Sequence, residues 1–125
     1  MKDLNFYADA IEKWLVCGDL SLEVSDFSEK FVFDSPFWEK AERSEFIDKF
    51  KKSSGYKDLS LKKIKSFDSV IKFKNKNQFL IVLNYYSING MSVWEAVLGK
   101  VEDGKLSELR SIYDLNETKR ALDLD

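Results

Sequence analysis

The apolar positions of this chain change period part-way along it. Leu4, Tyr7, Ala8, Ile11, Trp14 and Leu15 recur at steps of three and four, which places them on one face of a helix over about Asp3–Cys17. Gly18 stands where a helix C-cap would, and Asp19 can cap a second helix with the stripe Leu20, Val24, Phe27 and Phe31. Phe31-Val32-Phe33 reads as a short strand halted by Ser35-Pro36, because proline cannot donate to a ladder. A third helix is predicted over Glu42–Lys52, burying Phe46, Ile47 and Phe50 and ended by Gly55. Its acids lie at the N-terminal end and its lysines at the C-terminal end, as the helix dipole favours.

Beyond it the period becomes two. Leu59 and Leu61 are in phase, Ile64 is out of phase, and Phe67, Ile71 and Phe73 return to the first phase. A strand that loses phase in mid-course predicts a bulge in a strongly bent sheet. Asn75-Lys76-Asn77 is a turn. Gln78–Ile88 is the most apolar strand, with Phe79, Ile81, Leu83 and Tyr85 on one side and Leu80, Val82, Asn84 and Tyr86 on the other. Asn89-Gly90 marks one hairpin, and Glu102-Asp103-Gly104-Lys105 marks a second within Met91–Asp114. Asn116 is placed to cap a terminal helix ending near Leu122. The order is ααβαββββ, an α+β pattern with antiparallel strands after the helices. The Gln78–Ile88 strand is apolar on both faces, so one face needs a cover beyond the helices. The simplest cover is a second copy of the chain.

Composition narrows the chemistry. The chain has 125 residues, 44% of them apolar and 14% aromatic, enough for one core that buries roughly 65% of the unfolded surface. No apolar run approaches the ~20 residues of a membrane helix, and no signal peptide is visible. Cys17 is the only cysteine, which rules out an intrachain disulfide and fits a reducing cytoplasm. It reads as a buried small hydrophobe at a helix end. There is no histidine. The commonest neutral-pH base and metal ligand is therefore absent, no structural zinc site is credible, and no cofactor is implied. Any proton chemistry falls to Asp, Glu, Tyr or Lys. The net charge is −2, yet residues 49–76 hold ten lysines against two aspartates. Such a stretch could meet an anion. It contains no arginine, and it reads as solvated strand and helix positions rather than as a nucleic-acid surface.

Gly18-Asp19, Pro36 after the first strand, and Asp103-Gly104-Lys105 followed by Tyr113-Asp114 occur in an order and spacing that resemble the nuclear transport factor 2-like superfamily. The likeness is greatest to its SnoaL-like and ketosteroid-isomerase-like branch and spans the whole chain as a single domain, 1–125. The resemblance implies a cone: a curved sheet wraps the long first helix and leaves an apolar pocket at its wide end. Members isomerise, cyclise, dehydrate or open epoxides there, and many pair as dimers through their outer sheet faces. The position of the isomerases' helix-one tyrosine falls on Ile11 here, that of their base before the proline on Ser35, and that of their late-strand acid on Ala96. All three groups are missing. The Asp-Arg-Asp arrangement of the family's epoxide hydrolases is not recognisable either.

Asp34, one residue from the base position, is the best surviving acid if it points inward, where desolvation would raise its pKa. The expected pocket comprises Tyr7, Ile11, Trp14, Ser35, Trp38, Asn84, Tyr86, Trp94, Ala96 and Tyr113. Glu95 and Arg110 are expected to face outward. The expected dimer face carries Phe79, Ile81, Leu83 and Tyr85. The readings left open are a small hydrophobic ligand bound in the cone, acid–base catalysis through Asp34, and an assembly module whose pocket its own Trp38 and Trp94 fill.

Overall fold

The structure, a computed structural model, describes residues 2–52 and 61–124. Helix α1 spans Leu4–Cys17. Its Asp3 side chain accepts from the Phe6 N–H at 2.9 Å, and Gly18 closes it in the left-handed region (φ 76°), donating its N–H to Trp14 O.

The expected second helix does not form. Val24–Asp26 make a single 3-10 turn, and Phe27–Asp34 is strand β1. Phe27 and Phe31 fit a helical step, but with Phe33 they also fit a period of two, and pairing with a neighbouring strand decides for the extended form. Val24 is exposed, while Leu20, Leu22, Phe27, Phe31 and Phe33 are buried. A two-residue strand β2 (Ala41–Glu42) leads into α2 (Arg43–Ile47), which continues as a π-helical turn over Asp48–Lys52. Gly55 and Leu59 lie outside the described residues, and Leu61, expected on the strand, lies in a helical turn just before it.

Four strands follow: β3 (Ile64–Asn75), β4 (Gln78–Ser87), β5 (Ser92–Glu102) and β6 (Lys105–Ile112). Helix α3 (Leu115–Ala121) is capped by Asp114, whose carboxylate accepts from the Glu117 N–H, and not by Asn116. Lys76, Asp103 and Gly104 take positive φ in the tight turns, where the sequence placed them. The sheet order is β2-β1-β6-β5-β4-β3, and it is open, with β2 and β3 at its edges. All neighbours are antiparallel except β1 and β6, which run parallel. The sheet is therefore mixed, a long-range pairing with no local signal.

Register shifts in β3, in the β1–β6 pair and near Lys100–Val101 bend the sheet. Its concave face holds α1. One inward row runs Phe79, Gly99, Leu109, Phe33 across four strands. Phe46 of α2 packs its ring against Trp14, Phe27, Phe31 and Phe33. The Tyr7 hydroxyl, buried beneath α1, lies 2.6 Å from Gly104 O and 3.2 Å from Asp26 O and ties the helix to the last hairpin. At the β3 edge Lys72 pairs with Asp9 and Glu12 of α1, each at 2.7 Å. Some of the lysine-rich stretch thus serves helix–sheet docking.

The inward set on β4 is Phe79, Ile81, Leu83 and Tyr85, all buried. These residues cannot form a dimer face. The outer surface instead carries Leu80, Val82 and Tyr86 of β4 beside Ile71 and Phe73 of β3, Trp94 and Leu98 of β5 and Ile112 of β6. Both faces of β4 are apolar, so its composition gave no phase; the coverage by α1 sets it. Cys17 is exposed rather than buried. Among the described residues no helix is long and apolar enough to cross a membrane.

Candidate functional site

A hollow remains at the wide end of the sheet, between the end of α1 and the inner face. Trp14 and Leu15 of α1 form its base with Phe33 and Phe50. Phe67, Tyr85, Glu95 and Ser111 of the inner sheet face form a wall. Ser35, Phe37, Trp38 and Tyr113 lie on the connections above β1 and β6, and Thr118, Leu122 and Leu124 close the side next to α3. Water-sized spheres fill about 70 Å³ of it. At about 10–15 Å³ for each enclosed water, that is room for roughly five. Pockets for drug-sized molecules run to about 300–1,000 Å³. The rings explain the narrowness. Trp14 meets Phe50 at 4.9 Å between centroids, Trp38 meets Phe50 at 5.4 Å, and Phe67 meets Tyr85 at 6.1 Å.

Trp38 is held in place by its backbone. Ser35 donates its N–H to Trp38 O at 2.9 Å, and Ser35 Oγ accepts from the Trp38 N–H at 3.1 Å. Lys49 Nζ sits 3.8 Å from the centroid of the Trp38 ring, a cation–π contact made from the groove over α2.

The polar groups of the hollow are Ser35, Tyr85, Glu95, Ser111, Tyr113 and Thr118, with Glu95, Tyr113 and Thr118 close to the Tyr85 hydroxyl. Burial, and then the charge of Glu95, push the Tyr85 hydroxyl well above the usual tyrosine range. Tyr85 thus stays protonated at any ordinary pH and is a donor, not a base. Thr118 Oγ1 is buried beside it without a well-aligned hydrogen bond.

Of the pocket residues expected from sequence, Trp14, Ser35, Trp38 and Tyr113 line the hollow. The other six do not. Tyr7 and Ile11 are fully buried core beneath α1. Asn84, Tyr86, Trp94 and Ala96 belong to the outer face, with Trp94 58% exposed. The buried Asn84 amide donates to Ser92 Oγ at 2.9 Å and Val93 O at 3.0 Å, a structural role. With Trp94 turned outward, only Trp38 of the two expected plugs reaches the hollow.

Asp34 stands opposite Arg110 on the outer face and lines a shallow surface groove with Pro36, Lys40 and Arg110. Glu95, expected outside, faces in, while Arg110 does face out. Glu95, and not Ala96, is thus the inward residue of that stretch of β5. The missed signal was the phase of Val93, Val97 and Gly99, which Glu95 shares. Trp94, Ala96 and Leu98 masked it by making the opposite phase equally apolar.

Solved structures of the same shape are numerous. An NTF2-like protein of unknown function from Cytophaga hutchinsonii superposes with a TM-score of 0.62 at 14% identity, covering 98% of this chain and 96% of that one. The chain has the nuclear transport factor 2-like fold. A putative polyketide cyclase from Pseudomonas putida matches with a TM-score of 0.58 at 13% identity over 94% and 96% of the two chains. A protein with a ketosteroid isomerase-like fold from Catenulispora acidiphila, in complex with trimethylamine, matches with a TM-score of 0.57 at 12% identity over 94% of both. No protein-family model matches the sequence, and the curated proteins hold no match. At these identities the likeness establishes the fold of this nuclear transport factor 2-like chain and leaves its chemistry to the site.

Proposed function

We propose that this chain is a SnoaL-like pocket protein, a single cytoplasmic domain that binds a small, largely apolar organic ligand in the hollow beneath Trp38. In this reading it works without the isomerase residues: Ile11 and Ser35 stand where sequence spacing places two of them, and Ala96, where spacing places the third, faces outward. One observation carries the reading: an aromatic-lined hollow with Glu95, Tyr113 and Thr118 beside the Tyr85 hydroxyl, an apolar cavity with a few convergent polar groups. The trimethylamine complex of the Catenulispora protein shows that a nuclear transport factor 2-like fold can hold a ligand this small. Catalysis through Asp34 has less support, since its carboxylate opens onto the outer groove.

The chain also functions as a homodimer in this proposal. Its outer sheet face presents Ile71, Phe73, Tyr86, Trp94 and Ile112, all exposed. Rows such as Ile71, Val82, Ala96, Ile112 make that surface continuous across four strands. A contiguous patch of this kind marks an interface more often than a bare surface.

Ligand binding is tested by two-dimensional NMR with a panel of small organic molecules. Binders should shift the indole signals of Trp14 and Trp38 and leave Trp94 unmoved. Ser111→Leu, which fills the hollow from β6, should abolish those shifts. Shifts confined to Trp94, or unaltered in the filled variant, would defeat the reading.

A further inference from the structure

We infer that the hollow selects a small organic cation, an ammonium bearing short alkyl groups, over a neutral molecule of the same shape. The inference rests on the proposed pocket and adds the charge of its ligand. Two features point the same way. The first is the wall of rings: Trp14, Phe33, Trp38, Phe67, Tyr85 and Tyr113. Aromatic faces carry negative electrostatic potential, so a cation enclosed by them is attracted beyond the apolar contact that a neutral isostere also makes. The second is Glu95, whose side of β5 turns its carboxylate into the same hollow. A carboxylate offers about four acceptor sites, so Glu95 can serve a ligand beside the interaction it already makes.

The surrounding groups support that sign of charge. Tyr85, next to Glu95, holds its proton and so presents a neutral hydroxyl. Ser35, Ser111 and Thr118 add neutral hydroxyls. The small volume favours a compact head such as trimethylammonium, with any longer tail leaving by the mouth.

The test compares choline with 3,3-dimethylbutan-1-ol, which replaces the charged nitrogen by carbon and keeps the shape. Both are titrated by NMR into the full chain and into Glu95→Gln, at ionic strength matched with sodium chloride. Choline should bind wild-type protein at least tenfold more tightly, equivalent to about 1.4 kcal/mol. Glu95→Gln should lower the preference for choline over the alcohol from tenfold or more to within about twofold. Equal binding of the two by wild type, or tighter binding of the alcohol, overturns the inference and leaves the pocket standing. Binding of neither, with no shift at Trp14 or Trp38, removes pocket and inference together. Full preference for choline in a Glu95→Gln variant that keeps the wild-type circular dichroism spectrum removes Glu95 from the account. The wild-type comparison decides the question even if that variant does not fold.

Discussion

Replacing Gly99 with alanine should destabilise the chain by about 2–3 kcal/mol, the upper part of the range for overpacking a tight core. Gly99 lies in register between Phe79 and Leu109 on the concave face. A Cβ built there would stand 2.6 Å from Phe79 Cε2 and closer still to Cζ and Cε1. Carbon atoms in contact sit about 3.5–4.0 Å apart, so the ring would have to retreat by roughly 1.5 Å or more. Phe79 is 1% exposed and has nowhere to go. Phe79→Leu removes the clashing ring. In that background Gly99→Ala should cost nothing, or gain about 0.5–1 kcal/mol from the lower entropy of the unfolded chain. The coupling between the two sites should then be about 2–3 kcal/mol, near the top of the range for residues in contact. Urea denaturation followed by far-ultraviolet circular dichroism on the four variants measures it. An equal cost of Gly99→Ala in both backgrounds would show that the ring does not occupy the gap left by the glycine.

Other consequences can be measured on the same protein. Tyr7→Phe deletes the hydroxyl held at 2.6 Å from Gly104 O and should cost about 1–3 kcal/mol in urea, with hydrogen exchange rising first at the 103–104 turn. Stability should fall with rising alkalinity. Burial raises the pKa of Tyr85 and of Tyr7 above the ordinary tyrosine value of 10.0, and hydrogen bonds to Asp9 and Glu12 raise that of Lys72 above the ordinary 10.5. Above about pH 10 the unfolded chain loses these protons while the folded chain keeps them, so unfolding is favoured by up to about 1.4 kcal/mol per pH unit per group. Tyr85→Phe should flatten that slope, and an unchanged slope would remove Tyr85 as a source. Trp94→Lys should convert a dimer to a monomer in light scattering while leaving the thermal midpoint of the monomer within a few degrees. A monomeric wild type would end the dimer proposal.

The local pattern alone determined a good deal. Helix α1 with its Gly18 cap, the helical segment after Glu42, the bulged β3 and both glycine hairpins follow from periodicity and from turns that need positive φ. These depend on residues within a few positions of one another, where sequence spacing is spatial spacing.

Tertiary structure alone decided the rest. Phe27 and Phe31 satisfy both a helical step and a strand period, and only the parallel pairing with β6, across nearly eighty residues of sequence, selected the strand. On β4 and β5 the two alternating sets are equally apolar, so nothing local says which turns toward α1. A slip of one phase exchanges every side chain between faces. Here it put Tyr86, Trp94 and Ala96 outside, turned Phe79, Ile81, Leu83 and Tyr85 into the core, and brought Glu95 into the hollow. A strand that is greasy on both sides carries no label for its inner face; the helix that covers it supplies one.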